Sequence, residues 1–436
     1  MPNFGTRLFF IFDGPRPIVV DSGTFLAWTA PMMLHGTHRK STFHANLEED
    51  VGPTTDAETP GATAVGAVVS RPHVAFFIRA LHGGGAQRDA ILLANSLFET
   101  GIDVSILTLV PDGRLRQLVA DGVRIIHVPA KRLATAVVPL RNAISKLQPT
   151  VLFSSEAAPN VAAFAATRLI PPKSRPRLVL REVTAPSIAK GLDPYLQNRL
   201  AFRAAGYVYS RADRVLTLTE GARRDLILNF GVPAERINVM TSNAVIDPPT
   251  AARLAHRAGT AETREKGLLV AIGRLSPEKD HLTLIGAFAD LVKRVPARLV
   301  IVGEGPMRPA LEDTIARLDL EDRVTLAGAT NDPFAWLLKA DLLVTSSKFE
   351  GLGNVLIEAL ACGTAVVSTD CPYGPREVLE GGRLGGLVPV GDTKALSKAI
   401  ELALNTPTDR ASLRRAAERH TTRQAAAYLI SNLELG

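Results

Sequence analysis

Short apolar runs alternate with amphipathic helical segments along most of this chain, and that alternation limits the folds open to it. The first run, Val74–Ile78, is followed by helical spacing over Ala86–Thr100 and by a second apolar run at Val104–Leu109. Runs of this length predict buried strands. Strands that alternate with helices at this spacing predict a doubly wound parallel sheet, so the expected class is α/β.

The alternation is interrupted once and then resumes. The segment Asn243–Thr260 contains consecutive prolines and an Ala- and Arg-rich part, and a second strand-helix series begins at Leu268–Ile272. We therefore predict two Rossmann-like domains, residues 71–247 and 248–436, that face each other across a cleft where ligands bind. Residues 1–70 include a Pro-, Gly- and Thr-rich stretch, and we expect them to be a poorly ordered N-terminal extension.

Composition and charge narrow the classes of protein to be considered. The chain has 436 residues and only two cysteines, so we expect no disulfide framework and a reducing, cytoplasmic compartment. No apolar run reaches the length of a membrane-spanning helix. The net charge of +7 is concentrated in residues 71–247, with 23 Lys and Arg against 13 Asp and Glu. This predicts an anionic partner, either a phosphate-bearing substrate or a membrane surface. Nucleic acid is not expected, because aromatic residues are scarce.

Residues 341–369 contain the densest set of candidate functional residues. The run from Asp341 to Ser346 predicts a buried strand, and Asn354 begins a segment with helical spacing. A glycine-rich turn lies between them, where the backbone can approach a ligand closely. Glu350 precedes this turn and Glu358 lies in the helix. The amides at the N-terminus of that helix favour an anion such as phosphate.

The spacing of Glu350 and Glu358 resembles the Glu-x7-Glu motif of retaining glycosyltransferases of family 4, which have the GT-B fold. The resemblance implies that Glu350 faces the sugar of a nucleotide-sugar donor and that Glu358 hydrogen-bonds the ribose. It implies a further set of donor-binding residues in the turn between them: Gly351, Leu352, Gly353 and Asn354.

Two elements of the second series extend this resemblance. Arg274 and Lys279 follow its first strand and resemble the family's Gly-Arg-x5-Lys element, with one residue fewer in the gap. The implied role is to stabilise the charge on the departing nucleoside diphosphate; the alternative is a loop with two solvated cations. Gly303 and Gly305 resemble the family's Val-Gly-x-Gly-Pro turn on the nucleotide side of the cleft. A purely structural tight turn is the alternative there.

The first domain has its own candidates. Gly84, Gly85 and Arg88 belong to a Gly-rich loop that opens a helix and resembles the family's acceptor-side Gly-Gly-Ala-Glu-Arg loop, with Gln87 in place of Glu. A generic Rossmann turn is the alternative. Arg181 and Glu182, at the end of another strand, are candidate contacts for the acceptor.

Arg376 belongs to a sequence that resembles the Asp-Cys-x-x-Gly-Pro-Arg-Glu element of a bacterial subset of the family. That subset often builds surface polysaccharides or lipid-linked oligosaccharides, commonly with N-acetylhexosamine donors. Arg376 either faces the cleft or caps a helix that begins near Glu377.

Together these residues predict a retaining glycosyltransferase, a hexosyltransferase with a UDP-linked sugar as donor. The acceptor implied is a glycan or lipid-linked oligosaccharide in the synthesis of surface polysaccharide or glycolipid. The family implies front-face attack, in which the departing phosphate takes the acceptor proton. We expect no metal and no other cofactor. We also expect a cytoplasmic protein that docks through its basic first domain on the inner face of the plasma membrane.

Two alternatives from other classes remain at this stage. One is a non-hydrolysing nucleotide-sugar epimerase, which has a similar two-domain architecture but needs no acceptor. The other is a non-catalytic nucleotide-sugar-binding partner in an assembly complex. The Glu-x7-Glu and Gly-Pro-Arg-Glu elements argue against the first, and the presence of Glu350, Arg274 and Lys279 argues against the second.

Overall fold

Two parallel β-sheets form the framework of the protein. The computed structural model describes residues 72–82, 84–192, 196–258 and 264–435, which belong to one compact unit. The predicted N-terminal extension, residues 1–70, lies outside the described residues. The two sheets, each flanked by helices, confirm the predicted α/β class with two Rossmann-like halves.

The first sheet has seven strands, all paired in parallel. The strands are β1 (His73–Phe77), β2 (Asp103–Thr108), β3 (Arg124–His127), β4 (Val151–Ser155), β5 (Arg177–Glu182), β6 (Arg214–Thr217) and β7 (Ile237–Val239). Their order across the sheet is β3-β2-β1-β4-β5-β6-β7. The helices that connect them are α1 (Gly85–Glu99), α2 (Leu133–Leu147), α3 (Ala157–Arg168), α4 (Pro186–Leu192), α5 (Leu196–Tyr209) and α6 (Glu220–Phe230).

The second sheet has six parallel strands. They are β8 (Leu268–Ile272), β9 (Arg298–Val302), β10 (Val324–Gly328), β11 (Leu342–Thr345), β12 (Ala365–Thr369) and β13 (Gly386–Val388), in the order β10-β9-β8-β11-β12-β13. The remaining helices are α7 (Pro248–Ala258), α8 (His281–Leu291), α9 (Arg308–Arg317), α10 (Pro333–Lys339), α11 (Asn354–Cys362), α12 (Gly374–Val378), α13 (Thr393–Asn405), α14 (Arg410–Ala417) and α15 (Thr422–Leu433).

Burial on both faces explains why the strands read as continuous apolar runs. Alternate residues of a strand point to opposite faces of its sheet. In β1, Val74 and Phe76 belong to one core cluster, and Ala75 and Phe77 belong to another on the opposite face. Helices cover both faces, as in other parallel sheets, so most strand positions are occupied by apolar residues.

The strand order of each sheet reverses at one point, between β1 and β4 in the first sheet and between β8 and β11 in the second. At such a reversal the connections leave in opposite directions and open a crevice at the carboxyl ends of the strands. The segments that follow these four strands therefore line the space in which a ligand can bind.

The last helix, α15, packs on the first sheet although it follows the second. Its residues Ala425 and Leu429 are fully buried in the same core cluster as Leu93 and Leu97 of α1. Arg177 of β5 also donates to the backbone carbonyl of Leu433 at 2.7 Å. The boundaries of the two domains stay a prediction, and these contacts associate the end of the proposed second domain with the first.

Helical spacing over residues 410–433 predicts one continuous helix, and this is wrong. The segment forms α14 and α15, separated by a 3-10 turn at Glu418–His420. The carbonyl of His420 accepts hydrogen bonds from the backbone N–H groups of Val245 and Ile246. The break therefore lets the chain turn toward the segment that joins the two sheets.

Candidate active site

Three adjoining cavities lie along the carboxyl ends of the strands. The first, about 560 Å³, is lined by Arg88 and Phe334 and reaches Glu358. The central cavity, about 420 Å³, lies between Lys279 and Glu350 of the second sheet and the Gly-rich loop of the first. The outer cavity is about 460 Å³. Gly84, Gly85, Ile272 and Glu358 line both the first and the central cavity. Gln87, Glu156, Asn198 and Arg274 line both the central and the outer cavity.

Glu350 is held in the central cavity by two donors. Its Oε1 atom accepts from Lys279 Nζ at 2.5 Å and from Ser347 Oγ at 2.6 Å. The side chains of Glu350 and Lys279 are 13% and 24% exposed, so the pair is largely shielded but reachable from the cavity. A carboxylate and an ammonium group in this arrangement offer an acceptor for hydroxyl groups beside a cation for phosphate.

The loop after Glu350 passes very close to the first sheet's domain. A Cβ atom on Gly351 would lie 1.7 Å from the carbonyl oxygen of Val183, so no larger residue fits there. Gly353 adopts φ +84°, a conformation that glycine adopts without strain. The side chain of Asn354, at the start of α11, accepts from Asn243 Nδ2 at 2.8 Å. The predicted turn Gly351–Gly353 and the N-terminus of α11 thus line the central cavity.

Glu358 lies in α11 and is only 8% exposed. Arg88 Nη1 of α1 approaches its Oε1 atom at 3.4 Å. Burial raises the pKa of Glu358 to about 7, although the positive charge of Arg88 acts in the opposite direction. The carboxyl group therefore joins the two halves of the protein at the boundary between the first and the central cavity.

Arg274 and the Gly303–Gly305 turn have different positions. Arg274 lines both the central and the outer cavity. Cβ atoms on Gly303 and Gly305 would lie 1.8 Å from the carbonyl oxygen of Gly273 and 2.3 Å from that of Leu275. These two glycines pack against the backbone behind Arg274 and line none of the three cavities. Their geometry favours the structural alternative, a tight turn that supports the Arg274 loop.

Two family models match most of the described chain. The model described as "Glycosyl transferase 4-like domain" matches residues 84–242, and the model "Glycosyl transferases group 1" matches residues 253–420. The chain belongs to the group 1, or family 4, glycosyltransferases.

Curated relatives agree with this membership. The Campylobacter jejuni protein named N-acetylgalactosamine-N,N'-diacetylbacillosaminyl-diphospho-undecaprenol 4-alpha-N-acetylgalactosaminyltransferase is 30% identical over 235 residues, which are 53% of this chain and 61% of that protein. The alpha-D-kanosaminyltransferase of Streptomyces kanamyceticus is 31% identical over 52% of this chain and 60% of its own length. The chain thus spans about three fifths of these curated relatives.

The similarity to solved structures concerns the fold. The crystal structure of Anabaena HepE in complex with UDP and glucose superposes with a TM-score of 0.67 at 21% identity. The superposition covers 83% of this chain and 99% of that chain. The GT-B fold expected from the sequence motifs is therefore confirmed.

Two predicted acceptor residues of this family 4 glycosyltransferase lie inside the first domain and not on the cleft. Arg181 is 0% exposed and forms a buried ion pair with Asp89 of α1. Glu182 is also 0% exposed, accepts from Tyr209 Oη at 2.6 Å and binds the backbone N–H groups of Val183 and Thr184. This corrects the sequence-based expectation: both side chains support the wall of the cleft, and neither is accessible to an acceptor.

Arg376 also lies away from the three cavities. It is an exposed residue within α12 and pairs with Asp370, which follows β12. The helix begins at Gly374, earlier than the expected start near Glu377. Of the two roles considered for Arg376, a cleft-facing position is not seen, and its partner is a side chain of its own domain.

Glu156 is the functional candidate that the motifs did not reveal. It directly follows β4, lines the central and outer cavities, and accepts from Gln87 Nε2 at 2.7 Å. Burial raises the pKa of its carboxyl group to about 7, while the charges of Arg79, Arg181 and Arg274 act to lower it. Its backbone has φ 78° and ψ 143°, a conformation that is costly for a residue with a side chain and is concentrated at functional sites. Its place at the end of an apolar run was the available signal.

The residues that the structure describes contain neither a metal-binding cluster nor a membrane-spanning helix. Across residues 72–435, apart from the gaps in the description, no three His, Cys, Asp or Glu side chains form a group that could hold a metal ion. None of the helices described in that part of the chain is both long and apolar enough to cross a membrane.

Proposed function

We propose that this protein transfers a sugar, with retention of anomeric configuration, from a nucleotide-sugar donor to a hydroxyl group of a glycan or lipid-linked acceptor. UDP is the proposed nucleotide, and an N-acetylhexosamine is one candidate for the sugar. The observation that carries the proposal is the contact of Glu350 with Lys279 in a cavity that Arg274 also lines. This set combines a carboxylate for sugar hydroxyls with cations for a diphosphate.

The three cavities support one direction for the donor. The first cavity is large enough for a nucleoside. Glu358 lines this cavity, and its carboxylate would accept hydrogen bonds from the ribose hydroxyls. The diphosphate would then lie in the central cavity, at the N-terminus of α11 and beside Arg274 and Lys279. The sugar would contact Glu350 at the end nearest the outer cavity.

The proposed reaction needs no nucleophile from the protein. The acceptor hydroxyl oxygen forms a bond to the anomeric carbon on the face from which the donor diphosphate leaves. The bond between the anomeric carbon and the β-phosphate oxygen breaks, and its electron pair stays on that oxygen. The acceptor proton passes to the departing phosphate. Arg274 and Lys279 stabilise the negative charge that develops there, which is an electrostatic contribution to catalysis.

The outer cavity is proposed to receive the acceptor. Arg79, His82 and Arg274 supply cationic or polar groups along its wall, and Val110, Leu133 and Pro159 supply apolar surface. Such a mixture suits a sugar that is joined to a phosphate. The similar Campylobacter protein is named for a diphospho-undecaprenol acceptor, which supports a lipid diphosphate as the candidate. The basic residues of the first domain favour docking on an anionic membrane surface.

The test is release of UDP from a panel of UDP-sugars, with and without lipid-linked acceptors extracted from bacterial membranes. We expect release that depends on the sugar and increases with acceptor, and we expect Glu350→Gln and Lys279→Met to lower kcat by about 100-fold or more. Glu312→Gln, an exposed residue of α9 that pairs with Arg308, is the matched control. A panel without any release, or equal rates for wild type and Glu350→Gln, would contradict the proposal. A new epimeric UDP-sugar formed without acceptor would instead identify an epimerase.

Membrane docking has a separate test. Sedimentation with vesicles of phosphatidylglycerol and phosphatidylethanolamine should recover the protein at low salt and lose it at high salt, because the attraction is electrostatic and screened by ions. Recovery on neutral vesicles to the same extent would remove the electrostatic basis of the docking proposal.

A further inference from the structure

We propose that Tyr373 and Glu377 are positioning residues, which fasten the second half of the protein to the first and thereby set Glu350 against the donor. Both belong to the Asp-Cys-x-x-Gly-Pro-Arg-Glu element, residues 370–377, whose role is not explained by the cavities. The inference rests on the proposed transfer reaction, in which Glu350 contacts the sugar. We refer to the contacts of Tyr373 and Glu377 with the first domain as the clasp.

Glu377 completes the capping of a helix in the other domain. Its two carboxylate oxygens accept from the backbone N–H groups of Glu220 at 3.1 Å and Gly221 at 3.0 Å, the first two residues of α6. The next N–H group, of Ala222, is bound by the side chain of Thr219 within the first domain. The first N–H groups of a helix have no partner inside the helix, and a carboxylate there also interacts favourably with the helix dipole. When the domains are in contact, the N–H groups of Glu220 and Gly221 are hydrogen-bonded to Glu377. If the domains separated, these groups would be hydrogen-bonded to water.

Tyr373 packs on α6 of the first domain, beside the contact that Glu377 makes with the same helix. A Cβ atom on Gly221 would lie 2.4 Å from Cδ1 of the Tyr373 ring, so the ring lies directly on the backbone of α6. Burial raises the pKa of the Tyr373 hydroxyl, which also interacts with Ser187 of α4 and Asp225 of α6. Within the first domain, the backbone N–H of Ser187 binds the carboxylate of Asp225 at 2.8 Å. The tyrosine thus joins a polar pair that is already formed between two helices of the first domain.

Tyr373 is connected to Glu350 through the backbone. The N–H of Glu350 donates to the carbonyl of Pro372 at 2.8 Å, and the N–H of Tyr373 donates to the carbonyl of Glu350 at 3.0 Å. A displacement of Tyr373 relative to the first domain is therefore transmitted to the loop that carries Glu350. Phe349, the residue before Glu350, is buried in a cluster with Ala185, Ala189 and Phe202 of the first domain, and Tyr373 packs against that cluster.

The clasp lies at the edge of the molecule, where it can open. Glu377 is exposed, and its hydrogen bonds to α6 are accessible to water. Exposed charge-assisted contacts are individually weak. Such contacts suit a closure that must be reversed in every catalytic cycle to admit the donor and release the nucleotide.

The experiment compares Glu377→Ala, Tyr373→Phe and Gly221→Ala with wild type and with the exposed control Glu312→Gln. Small-angle X-ray scattering with saturating UDP reports closure, and UDP-sugar turnover reports kcat and KM. We expect the three variants to have a larger radius of gyration with UDP than wild type. We also expect kcat to fall about three- to tenfold, with a smaller change in the Kd for UDP, because the proposed nucleotide contacts lie mainly in the second half. The double variant Glu377→Ala, Gly221→Ala should lose little more than either single variant, since either change alone opens the clasp.

The outcomes separate the clasp from the proposed reaction. If the variants and wild type have the same radius of gyration with UDP, or if kcat is unchanged, the clasp is not a positioning device. If turnover falls only in proportion to the folded fraction measured by thermal unfolding, Tyr373 and Glu377 act on stability alone and the inference is also wrong. If wild type releases no UDP from any UDP-sugar, the proposed reaction fails, while the scattering result still decides whether the clasp holds the domains closed.

Discussion

Arg88 Nη1 lies 3.4 Å from Oε1 of Glu358, so a cation at the start of α1 and a carboxylate in α11 join the two sheets' domains across the cleft. Glu358 is the residue expected to bind the ribose, and its Arg88 partner comes from the Gly-rich loop of the opposite wall. The contact therefore joins α11, which is predicted to bind the donor, to the Gly-rich loop and α1, which are predicted to lie on the acceptor side. The proposed nucleotide site and the contact between the two sheets' domains therefore share Glu358.

Glu358→Gln should weaken binding of UDP by about 10- to 100-fold, the range expected when hydrogen bonds to a charged group are lost. The pKa of Glu358 is raised to about 7 by burial, so the carboxylate form decreases as the pH falls from 8 to 6. Wild-type affinity for UDP should fall more steeply over the same range than the affinity of the Gln variant, in which only the phosphate of UDP titrates at this contact. Isothermal titration calorimetry at several pH values measures both.

Arg88→Met provides the complementary test. Because the charge of Arg88 acts to lower the pKa of Glu358, its removal should shift the pH midpoint of UDP binding upward. Arg317→Met, an exposed change on α9 that removes contacts with Asp313 and Thr314 of the same helix, serves as control. An unchanged midpoint in Arg88→Met would mean that the contact has no influence on this titration.

The order of strands and helices was predictable because most strands of the two parallel sheets are buried on both faces and are mainly apolar. The limits of β8, Leu268–Ile272, agree with the sequence prediction to the residue. Elements that depend on tertiary contacts were not predicted. The helix α7 begins at two prolines, in a segment that the sequence pattern marks as an interruption. The helix α15 follows the second sheet in the chain but packs on α1 beside the first sheet. Nothing in local periodicity reports which of two sheets an amphipathic helix will cover.

The candidate site shows the same limit at the level of single residues. Arg181 and Glu156 are both charged residues at the carboxyl ends of neighbouring strands, and sequence pattern does not distinguish them. Arg181 is buried because Asp89, a distant residue in the sequence, provides its partner. Glu156 faces the cavities because its backbone, with φ 78°, directs the side chain toward them. A charged residue at a strand end was therefore a useful candidate for the site. Whether its side chain faces the cavities depended on partners elsewhere in the chain.

Arg181→Met should destabilise the protein by about 3–5 kcal/mol, because it leaves the carboxylate of Asp89 buried without its partner. Chemical denaturation of the variant measures this loss. The double variant Arg181→Met, Asp89→Asn should be more stable than the single variant, since the unpaired charge is then absent. At a temperature where the single variant is folded, its KM for acceptor should be that of wild type. A selective increase in that KM would restore Arg181 as an acceptor contact.

Gln87, which stands where the family's Gly-Gly-Ala-Glu-Arg loop has glutamate, donates a hydrogen bond to Glu156. A glutamate at position 87 would bring a second carboxylate to 2.7 Å from Glu156, where the amide of Gln87 now donates. Like charges at that distance raise the pKa of one partner and weaken the contact. We therefore expect Gln87→Glu to lower both thermal stability and acceptor-dependent turnover at pH 8.

The exchanged pair, Gln87→Glu with Glu156→Gln, should recover stability because one carboxylate and one amide face each other again. Glu156→Gln alone should raise stability at pH 8. The sign follows from the pKa of Glu156, which is about 7 in the folded protein against 4.5 for the ordinary group. Stability from such a group is fully present below pH 4.5 and is lost as the pH rises through 7. Thermal unfolding at pH 5 and pH 8 measures these differences, and equal effects of Glu156→Gln at the two pH values would contradict them.

Buried histidines predict a loss of stability in acid. Burial lowers the pKa of His420 to about 3 from an ordinary value of 6.5, and Arg419 Nε donates to its Nε2 atom at 3.1 Å. The unfolded chain therefore binds a proton more readily than the folded one between those values. The contribution of His420 is fully present above pH 6.5 and is lost as the pH falls toward 3. At pH 5 the loss is about 2 kcal/mol, from about 1.4 kcal/mol per pKa unit.

His420→Gln should lose less stability than wild type between pH 7 and pH 5 in urea denaturation. His256→Gln, at an exposed position of α7, should follow wild type. Because Glu156, Glu358 and His281 titrate in all three proteins, the difference between the curves isolates His420, and parallel curves for wild type and His420→Gln would show that His420 is not the source of the acid sensitivity.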